Sequence, residues 1–353
     1  MHSTLKINNH LYDFSGLKRA IEHGILSGSG TEWERDLVSF LKEWTDDREY
    51  VTGKTSGSTG TPKTIRLSKR AMIASALQTN RFFGLKKKDN ALLCLSANYI
   101  AGKMMIVRAI AGGFNLVAVP PSSVPQWEGS VSFAAMVPLQ VQALLASEEG
   151  KMRLNSIDKL LIGGSPVTDS LKKKLCELSV DAYLSYGMTE TVSHVALCRI
   201  EKGGTGENVY MALPDVVFST DERDCLVIKA PYLQDEPFVT NDVVKLLSKT
   251  SFSWLGRWDN VINSGGIKVF PEEIERKIAD FPEARFYITS LPHELLGQQI
   301  VLKMEGLPWN EEKQRLFLQQ IAFLLTKYEI PKQILFVDKF EETGSGKIKR
   351  MSK

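Results

Sequence analysis

Short apolar runs alternate with amphipathic segments along much of this chain, and that alternation limits the folds it can adopt. Runs rich in Val, Leu, Ile and Ala are typical of buried strands, whereas apolar residues at helical spacing indicate helices. Units of this kind build a sheet covered by helices, so the sequence predicts an α/β fold with a large layered N-terminal domain. The predicted strands lie at residues 91–96, 115–119, 133–137, 159–162 and 181–185, and the intervening helices lie at 102–111, 139–146 and 170–178.

Helix-start signals add two helices before this region. Thr31 and Glu34 form a capping box ahead of an apolar stripe, which predicts a helix at residues 31–46. A short strand at residues 50–52 follows, and Ser68 can cap a second helix that runs to about residue 83. After residue 195 the strands become short, at 216–219, 225–230 and 243–247, which predicts an antiparallel annex at the end of the larger domain.

The length of 353 residues predicts two domains of roughly 150 residues each. We expect an N-terminal domain at residues 1–256, a hinge at 257–259 and a small mobile C-terminal α+β domain at 260–353. In the small domain Pro271 suits the first position of a helix that ends near Ala279. Two ion pairs are expected on that helix, Glu272 with Arg276 and Glu273 with Lys277.

The rest of the small domain is predicted to contain three strands and a longer helix. The strands are expected at residues 286–289, 299–304 and 334–337. Asn310 can cap the longer helix, whose apolar face would comprise Leu316, Phe317, Ile321, Leu324 and Leu325.

The composition is ordinary for a globular protein with a hydrophobic core, at 43% hydrophobic and 24% charged residues. With 44 basic and 41 acidic residues, the net charge of +3 is too small to indicate nucleic acid or an anionic membrane as a partner. The four cysteines lack CxxC spacing and indicate reduced thiols. The sequence has neither a signal peptide nor a long apolar run, so we expect a cytoplasmic protein without membrane insertion.

One segment between the strand at 50–52 and Ser68 has the composition of a phosphate-binding loop. Glycines let backbone N–H groups approach anionic oxygens, hydroxyls add donors, and Lys63 adds a positive charge. Proline stands where an ordinary phosphate loop has its second glycine, so the wrapping must differ. The alternative is a solvated polar linker. The residues are Thr55, Ser56, Gly57, Ser58, Thr59, Gly60, Thr61, Pro62, Lys63 and Thr64.

Four further segments accompany this loop, at residues 186–191, 238–242, 256–275 and 344–350. In this order and spacing, the five segments resemble those of the acyl- and aryl-CoA synthetases, adenylation domains and luciferases, which activate carboxylates as acyl-adenylates. The resemblance runs from about Thr52 to the C-terminus. It implies ATP, CoA and a small carboxylic acid as substrates and Mg²⁺ as the cofactor.

The resemblance also implies a role for each segment. The loop would bind the β- and γ-phosphates, Thr189 the α-phosphate and Glu190 the Mg²⁺, and Lys347 would be a mobile catalytic lysine carried on the Gly344-Ser345-Gly346 turn. Asp259 would lie at the hinge. For Glu190, Asp242 and Lys347 the alternatives are a solvated turn residue, a strand-end cap and a surface lysine. The remaining ATP-binding residues would be Gly163, Gly164 and Ser165 near the base, Tyr186, Gly187 and Met188 beside the adenine, Asp242 on the ribose, and Arg257.

Three softer matches, at residues 134–142, 161–167 and 186–193, resemble the o-succinylbenzoate–CoA ligases of menaquinone synthesis. Relatives commonly place a histidine at the acyl pocket where this chain has Tyr99. A second, unreacted carboxylate on the acid would need a cationic partner if it is buried, and Lys103 and Arg108 are the nearest candidates. The alternative is that both are solvated helix charges.

Two rivals remain open at this stage, a ligase for another aryl or acyl acid, and a protein that loads a carrier or lacks turnover. The region before the phosphate loop is short compared with that of relatives, so the large domain is expected to be shortened at its N-terminus. Either the remaining core is self-sufficient, or a homodimer covers what a longer region would cover.

Overall fold

The computed structural model of the protein describes residues 4–23, 30–54, 64–202, 208–282, 284–342 and 348–350. The helices are α1 (Phe14–Glu22), α2 (Glu32–Thr45), α3 (Lys69–Phe83), α4 (Ile100–Gly112), α5 (Pro138–Leu145), α6 (Glu148–Asn155), α7 (Asp169–Cys176), α8 (Pro271–Ile278) and α9 (Glu311–Ala322), and a 3-10 helix spans Trp258–Asn260.

The strands are β1 (Thr4–Ile7), β2 (His10–Asp13), β3 (Tyr50–Lys54), β4 (Thr64–Ser68), β5 (Asn90–Leu93), β6 (Asn115–Ala118), β7 (Val131–Met136), β8 (Ile157–Ile162), β9 (Asp181–Gly187), β10 (His194–Arg199), β11 (Val209–Ala212), β12 (Val217–Thr220), β13 (Cys225–Lys229), β14 (Phe238–Ser248), β15 (Ser251–Arg257), β16 (Ile262–Ser264), β17 (Ile267–Val269), β18 (Phe286–His293), β19 (Gly297–Glu305) and β20 (Ile334–Val337).

One large sheet organises the N-terminal part of the described chain. Thirteen of the described strands form it in the order β12-β13-β14-β15-β11-β10-β9-β8-β7-β5-β6-β1-β2. From β1 to β9 the neighbours run parallel, and from β9 to β12 they run antiparallel. The predicted antiparallel annex is therefore a continuation of the same sheet.

The parallel strands are buried on both faces, as is usual for a sheet covered by helices on each side. Leu160 and Leu161 are neighbours on β8, yet they belong to different apolar clusters because successive side chains point to opposite faces. One cluster includes apolar residues of α1 to α4, and the other includes those of α5 to α7. The predicted α/β layered fold is confirmed.

The predicted capping residues occupy their expected positions. The Thr31 N–H donates to Glu34 Oε2 at 3.0 Å, and the side chains of Ser68 and Asn310 accept from the backbone N–H groups of Ala71 and Lys313. The prediction of a strand over residues 91–96 was too long, since β5 ends at Leu93. The hairpin β1–β2 and helix α1 were not predicted, although β1 extends the parallel sheet through β6.

A second sheet forms the core of the C-terminal part. The large sheet ends at Arg257, and β16 begins at Ile262, after the 3-10 helix. Strands β16 to β20 form the second sheet, and α8 and α9 contribute to its apolar cluster. The predicted apolar face of α9 was partly wrong. Phe317, Ile321 and Leu325 are buried, whereas Leu316, on the exposed side of the helix, and Leu324, beyond its end at Ala322, are about half exposed. Among the described residues, no helix combines the length and apolar character needed to cross a membrane.

One of the two ion pairs predicted on α8 is present and the other is not. Lys277 Nζ lies 3.6 Å from Glu273 Oε1, as predicted. Arg276 instead reaches Asp169 on α7, with Nη1 2.9 Å from Oδ2. The expected partner Glu272 faces the other way, accepting a hydrogen bond from Asn260 of the 3-10 helix. This ion pair therefore links the part of the chain built on the large sheet to the part built on the second sheet.

A partly buried ionic cluster holds Arg350 against α8. Arg350 Nη2 lies 2.5 Å from Glu275 Oε2, and Nη1 lies 3.9 Å from Glu272 Oε1. The other Glu275 oxygen accepts from the Ile288 N–H at 2.7 Å. Burial is the main cause that raises the pKa of Glu275 to about 7, while Arg350 acts in the opposite direction and nearby Glu272 adds to the rise.

Glu275→Gln is expected to change how stability depends on pH. The unfolded chain ionises this carboxyl near pH 4.5 and the folded chain near pH 7, so its contribution is full below about 4.5 and is lost as the pH rises to about 7. Glutamine does not titrate. The difference in unfolding free energy between variant and wild type should therefore shift in favour of the variant between pH 4.5 and 7.

Urea unfolding at several pH values measures this difference, and Glu273→Gln on the same helix controls for the loss of a carboxylate. A Glu275→Gln difference that stays constant across this range would contradict the prediction.

Candidate active site

The candidate site begins where two neighbouring parallel strands end. Gly163 and Gly164 follow β8, and Tyr186 and Gly187 end β9. A Cβ on Gly163 would lie only 2.2 Å from Ser185 Oγ, and Gly164 has a φ of +91°, so this turn depends on glycine. The carboxyl ends of parallel strands are where open α/β sheets bind ligands.

A tight turn at residues 188–193 leads from β9 into antiparallel β10. Thr191 is fully buried, and its hydroxyl accepts from the Met188 N–H at 3.0 Å and lies 2.8 Å from the carbonyl of Ser193. Val192 has a φ of +65°, a strained conformation for a β-branched residue. The turn leaves Thr189 partly exposed and Glu190 exposed. The hydrogen bonds of Thr191 stabilise the turn that exposes these two residues, a role that the sequence analysis did not assign to Thr191.

Asp242 on β14 joins three of the site's side chains. Its Oδ2 accepts from the Tyr186 hydroxyl at 2.7 Å, and its Oδ1 accepts from Trp254 Nε1 at 3.2 Å. Arg257 Nη1 lies 3.5 Å from the same Oδ1. Burial and the adjacent Asp242 carboxylate raise the pKa of Tyr186 well above its ordinary value, so its hydroxyl stays a donor. Trp254 was not predicted.

Arg257 also connects this carboxylate to the predicted hinge. Its Nη2 lies 3.5 Å from Asp259 Oδ2, and Asn241 Nδ2 donates to the same oxygen at 3.4 Å. The structure therefore brings Tyr186, Asp242, Arg257 and Asp259 into one network. Each of these residues had been predicted as a site or hinge residue.

The ribbon β3–β4 lies against the turn at 188–193. A Cβ on Gly53 would be 3.3 Å from Thr189 Cγ2, so the ribbon and the Thr189 side chain are neighbours. The predicted phosphate-loop residues 55–63 join the two strands of this ribbon and lie outside the described residues, as do Gly344, Ser345, Gly346 and Lys347. Their predicted roles remain predictions.

Lys103 and Arg108 of α4 are both buried. The alternative prediction, that both are solvated helix charges, is therefore wrong. Lys103 Nζ donates to the Thr52 carbonyl at 2.6 Å and lies 3.8 Å from Glu43 Oε2. Arg108 is 2% exposed, and its Nη2 donates to Ser193 Oγ at 2.8 Å. Tyr99, the third residue predicted at the acyl side, precedes α4 and is exposed. Contact of any of these residues with an acid remains a prediction.

Arg108 is unusual because no carboxylate of the described residues pairs with it and its Nε has no hydrogen-bond partner. Burial lowers its pKa to about 9, so it still carries a charge at neutral pH. His194 is buried beside it, with Nε2 3.2 Å from Thr79 Oγ1. Burial and then the Arg108 charge lower the pKa of His194 well below its usual value, which keeps the imidazole neutral. The sequence did not single out His194.

The site has the donors that a magnesium ion bound with phosphates would need. In the described part of the chain, no group of three or more His, Cys, Asp or Glu side chains could hold a metal ion. Mg²⁺ often uses only one or two protein carboxylates together with phosphate oxygens and water. The exposed carboxylate of Glu190, next to Thr189, fits that requirement.

Comparison with known proteins shows which chains this one resembles. The family model described as AMP-binding enzyme matches residues 45–216. The 2-succinylbenzoate–CoA ligase of Lactococcus lactis is 26% identical, over 98% of this chain and 83% of that protein. The o-succinylbenzoate coenzyme A synthetase (MenE) of Bacillus subtilis, solved with ATP and magnesium ion, has a similar fold, with a TM-score of 0.71 at 19% identity over 95% of this chain and 81% of that chain.

A solved structure from Dyadobacter fermentans is more similar in sequence. It is described as an acyl-CoA synthetase (AMP-forming)/AMP-acid ligase II-like protein and is 34% identical, with a TM-score of 0.61. The match covers 90% of this chain and 92% of that chain. This chain therefore belongs to the family of AMP-binding enzymes that comprises the AMP-forming acyl-CoA synthetases.

Proposed function

We propose that the protein is an o-succinylbenzoate–CoA ligase. In the first step a carboxylate oxygen of the acid attacks the α-phosphorus of ATP, and the bond to pyrophosphate breaks. In the second step the sulfur of CoA attacks the acyl carbon, and AMP leaves with the electron pair of the C–O bond. Relatives named 2-succinylbenzoate–CoA ligase, each matched over most of this chain, support this choice of acid.

The observation that carries the proposal is the buried guanidinium of Arg108. A buried charge without a counter-ion is costly, so a ligand that brings the opposite charge to it would bind favourably. Arg108 is one hydrogen bond from Ser193, which is partly exposed and ends the turn that displays Thr189 and Glu190. An acid activated at this turn has one carboxylate for reaction, and o-succinylbenzoate has a second carboxylate that Arg108 can neutralise.

The nucleotide would lie along the ends of β8, β9 and β14. Gly163, Gly164 and Ser165 would flank the base, with Tyr186, Gly187 and Met188 beside it. Asp242 would accept from the ribose hydroxyls with the lone pairs that Tyr186 and Trp254 leave available. Arg257, 3.5 Å from the same carboxylate, would help to hold it in place.

The phosphates would face the ribbon β3–β4 and the turn at 188–193. Thr189 would donate to the α-phosphate, and the loop at residues 55–63 would bind the outer phosphates. Glu190 would hold Mg²⁺, which supplies charge neutralisation at the phosphates when bound. Lys347 would donate to the reacting carboxylate and the α-phosphate, and a pivot at Asp259 would withdraw it before CoA reacts.

A ligase for another aryl or acyl acid is the second candidate, and Tyr99 is the observation in its favour. The residue is exposed at the start of α4, where the family commonly places a histidine at the acyl pocket. Pyrophosphate release measured across a panel of acids separates the two candidates, since the proposal expects o-succinylbenzoate to give the highest kcat/KM.

Lys347→Ala is expected to affect the two half-reactions unequally. Loss of a cation that stabilises charge on the phosphoryl oxygens should slow adenylate formation by roughly 10²-fold or more. Conversion of synthetic acyl-adenylate and CoA to the thioester should continue at nearly the wild-type rate. Single-turnover assays measure both steps, with Lys349→Ala, an exposed lysine that pairs with Glu341, as the control. Equal losses in both steps would rule out the assigned role.

Arg108→Met is expected to raise the KM for o-succinylbenzoate while the KM for ATP stays nearly constant. Methionine fills similar space without a charge, so the fold should tolerate it. Loss of one partner of a buried charged pair costs about 2–5 kcal/mol, which corresponds to roughly 30-fold to several-thousand-fold. Benzoate lacks the second carboxylate and should react equally with both proteins. If the variant handles both acids as the wild type does, Arg108 does not bind the substrate.

A further inference from the structure

Side chains from two helices bind the backbone of Thr52 on strand β3, three residues before the predicted phosphate loop begins at Thr55. The Thr52 N–H donates to Glu43 Oε1 at 2.8 Å, and the Thr52 carbonyl accepts from Lys103 Nζ at 2.6 Å. The Thr52 hydroxyl also donates to Glu43 Oε1. Glu43 lies on α2 and Lys103 on α4, so two helices bind both backbone polar groups of a single residue.

The two charged side chains compensate each other inside the protein. Lys103 Nζ lies 3.8 Å from Glu43 Oε2, and their side chains are only 10% and 14% exposed. The ammonium also lies 5.4 Å from the centre of the Phe40 ring. Burying such a pair gains little stability compared with apolar packing. Its geometric effect is specific, because it fixes the position of the Thr52 backbone.

The ribbon β3–β4 needs external support of this kind. A two-stranded ribbon is marginally stable alone, and β3 pairs with no described strand except β4. The pair Lys54 and Thr64 closes its loop end, and the pair Tyr50 and Ser68 closes its base. At the next residue, Gly53, the ribbon approaches Thr189 so closely that β3 has little room to move toward it. A shift of Thr52 would therefore move the loop end relative to Thr189.

We infer that Lys103 and Glu43 are positioning residues for the ATP-phosphate loop, acting by clamping the backbone of Thr52 between α2 and α4. The inference rests on the proposed role of residues 55–63 in binding the outer phosphates of ATP. It assigns Lys103 to the nucleotide side of the reaction and leaves the free carboxylate of the acid to Arg108.

Nucleotide titrations without any acid test this assignment, so the result does not depend on which acid is activated. AMP lacks the β- and γ-phosphates. Lys103→Met should raise the Kd of MgATP roughly tenfold or more and leave the Kd of AMP unchanged. Adenylate formation should slow by roughly 10²-fold, as misplacement by about an ångström does elsewhere, with little change in the KM of the acid. Lys103→Arg, which keeps a charged donor, should recover most of the ATP affinity.

Lys69→Met is the matched control. Lys69 Nζ also binds a backbone carbonyl and a carboxylate, those of Asp46, and is similarly buried, with 14% of its side chain exposed. Lys69 lies at the base of the ribbon, next to Ser68. Its replacement by methionine should therefore leave the ratio of ATP to AMP affinity at the wild-type value. Glu43→Gln provides a second test if Lys103→Met does not fold, since it keeps an acceptor for Thr52 but removes the countercharge. It should lower ATP affinity and leave AMP affinity unchanged.

Two results would overturn the inference. The first is that Lys103→Met or Glu43→Gln weakens the binding of ATP and of AMP equally, or that Lys69→Met changes the ratio of ATP to AMP affinity as much as Lys103→Met does. The contacts of Thr52 with Lys103 and Glu43 would then contribute only to general stability. If Lys103→Met raises the KM of o-succinylbenzoate and leaves ATP binding intact, Lys103 is a substrate ligand. Failure of the proposed function gives a different result, because it appears as no activity with o-succinylbenzoate in the wild type.

Discussion

Strand β9 pairs parallel with β8 and antiparallel with β10, and the candidate site depends on this change of direction. A parallel neighbour needs a long crossover, whereas an antiparallel neighbour follows after a short turn. The chain therefore reverses within residues 188–193, directly at the carboxyl end of a parallel strand. Gly187 permits the close approach of the two strands, since a Cβ there would lie 2.3 Å from the carbonyl of Ser193. The strained φ of Val192 and the buried hydroxyl of Thr191 belong to the same reversal.

Three buried charges surround this turn, and their partners suggest different tasks. Asp242 accepts hydrogen bonds from Tyr186 and Trp254 and lies 3.5 Å from Arg257, so its charge already has a cationic partner within the protein. Lys103 is bound to a backbone carbonyl and lies near a carboxylate. Arg108 has a hydroxyl and a thioether sulfur as its hydrogen-bond acceptors, with no carboxylate from the described residues. Of the three, Arg108 therefore gains most from an anionic ligand.

The sequence predicted the repeating parts of the fold because each is determined locally. Capping residues such as Thr31 and Asn310 contact groups three residues away, and apolar runs such as that of β8 need only burial. Contacts between distant elements could not be predicted in this way. Arg276 had a suitable partner four residues away in Glu272, yet it binds Asp169, which is 107 residues away. Only the folded structure, which brings Arg276 within 2.9 Å of Asp169, decides between these carboxylates.

The same limit applies to the site. Asp242 and Tyr186 were predicted from motifs, but neither Trp254 nor the hydrogen bond between Tyr186 and Asp242 follows from spacing along the chain. Lys103 and Arg108 lie on one helix and have the same charge, so the sequence analysis predicted the same role for both, as partners of a second carboxylate on the acid. The structure separates them, since Lys103 reaches the strand before the predicted phosphate loop and Arg108 reaches the end of the turn at 188–193.

Two ion pairs join residues on either side of the predicted hinge, and both are weak enough to break during the proposed rearrangement between the two reactions. Arg276 and Asp169 are 27% and 34% exposed, and Lys268 and Asp224, 4.0 Å apart, are more exposed still. Pairs of this kind typically contribute about 0–1 kcal/mol. Such contacts can favour one orientation of the small domain and still break within a catalytic cycle. In contrast, Arg350 pairs with Glu275 of α8, on the same side of the predicted hinge, so a pivot at Asp259 would carry these two residues together.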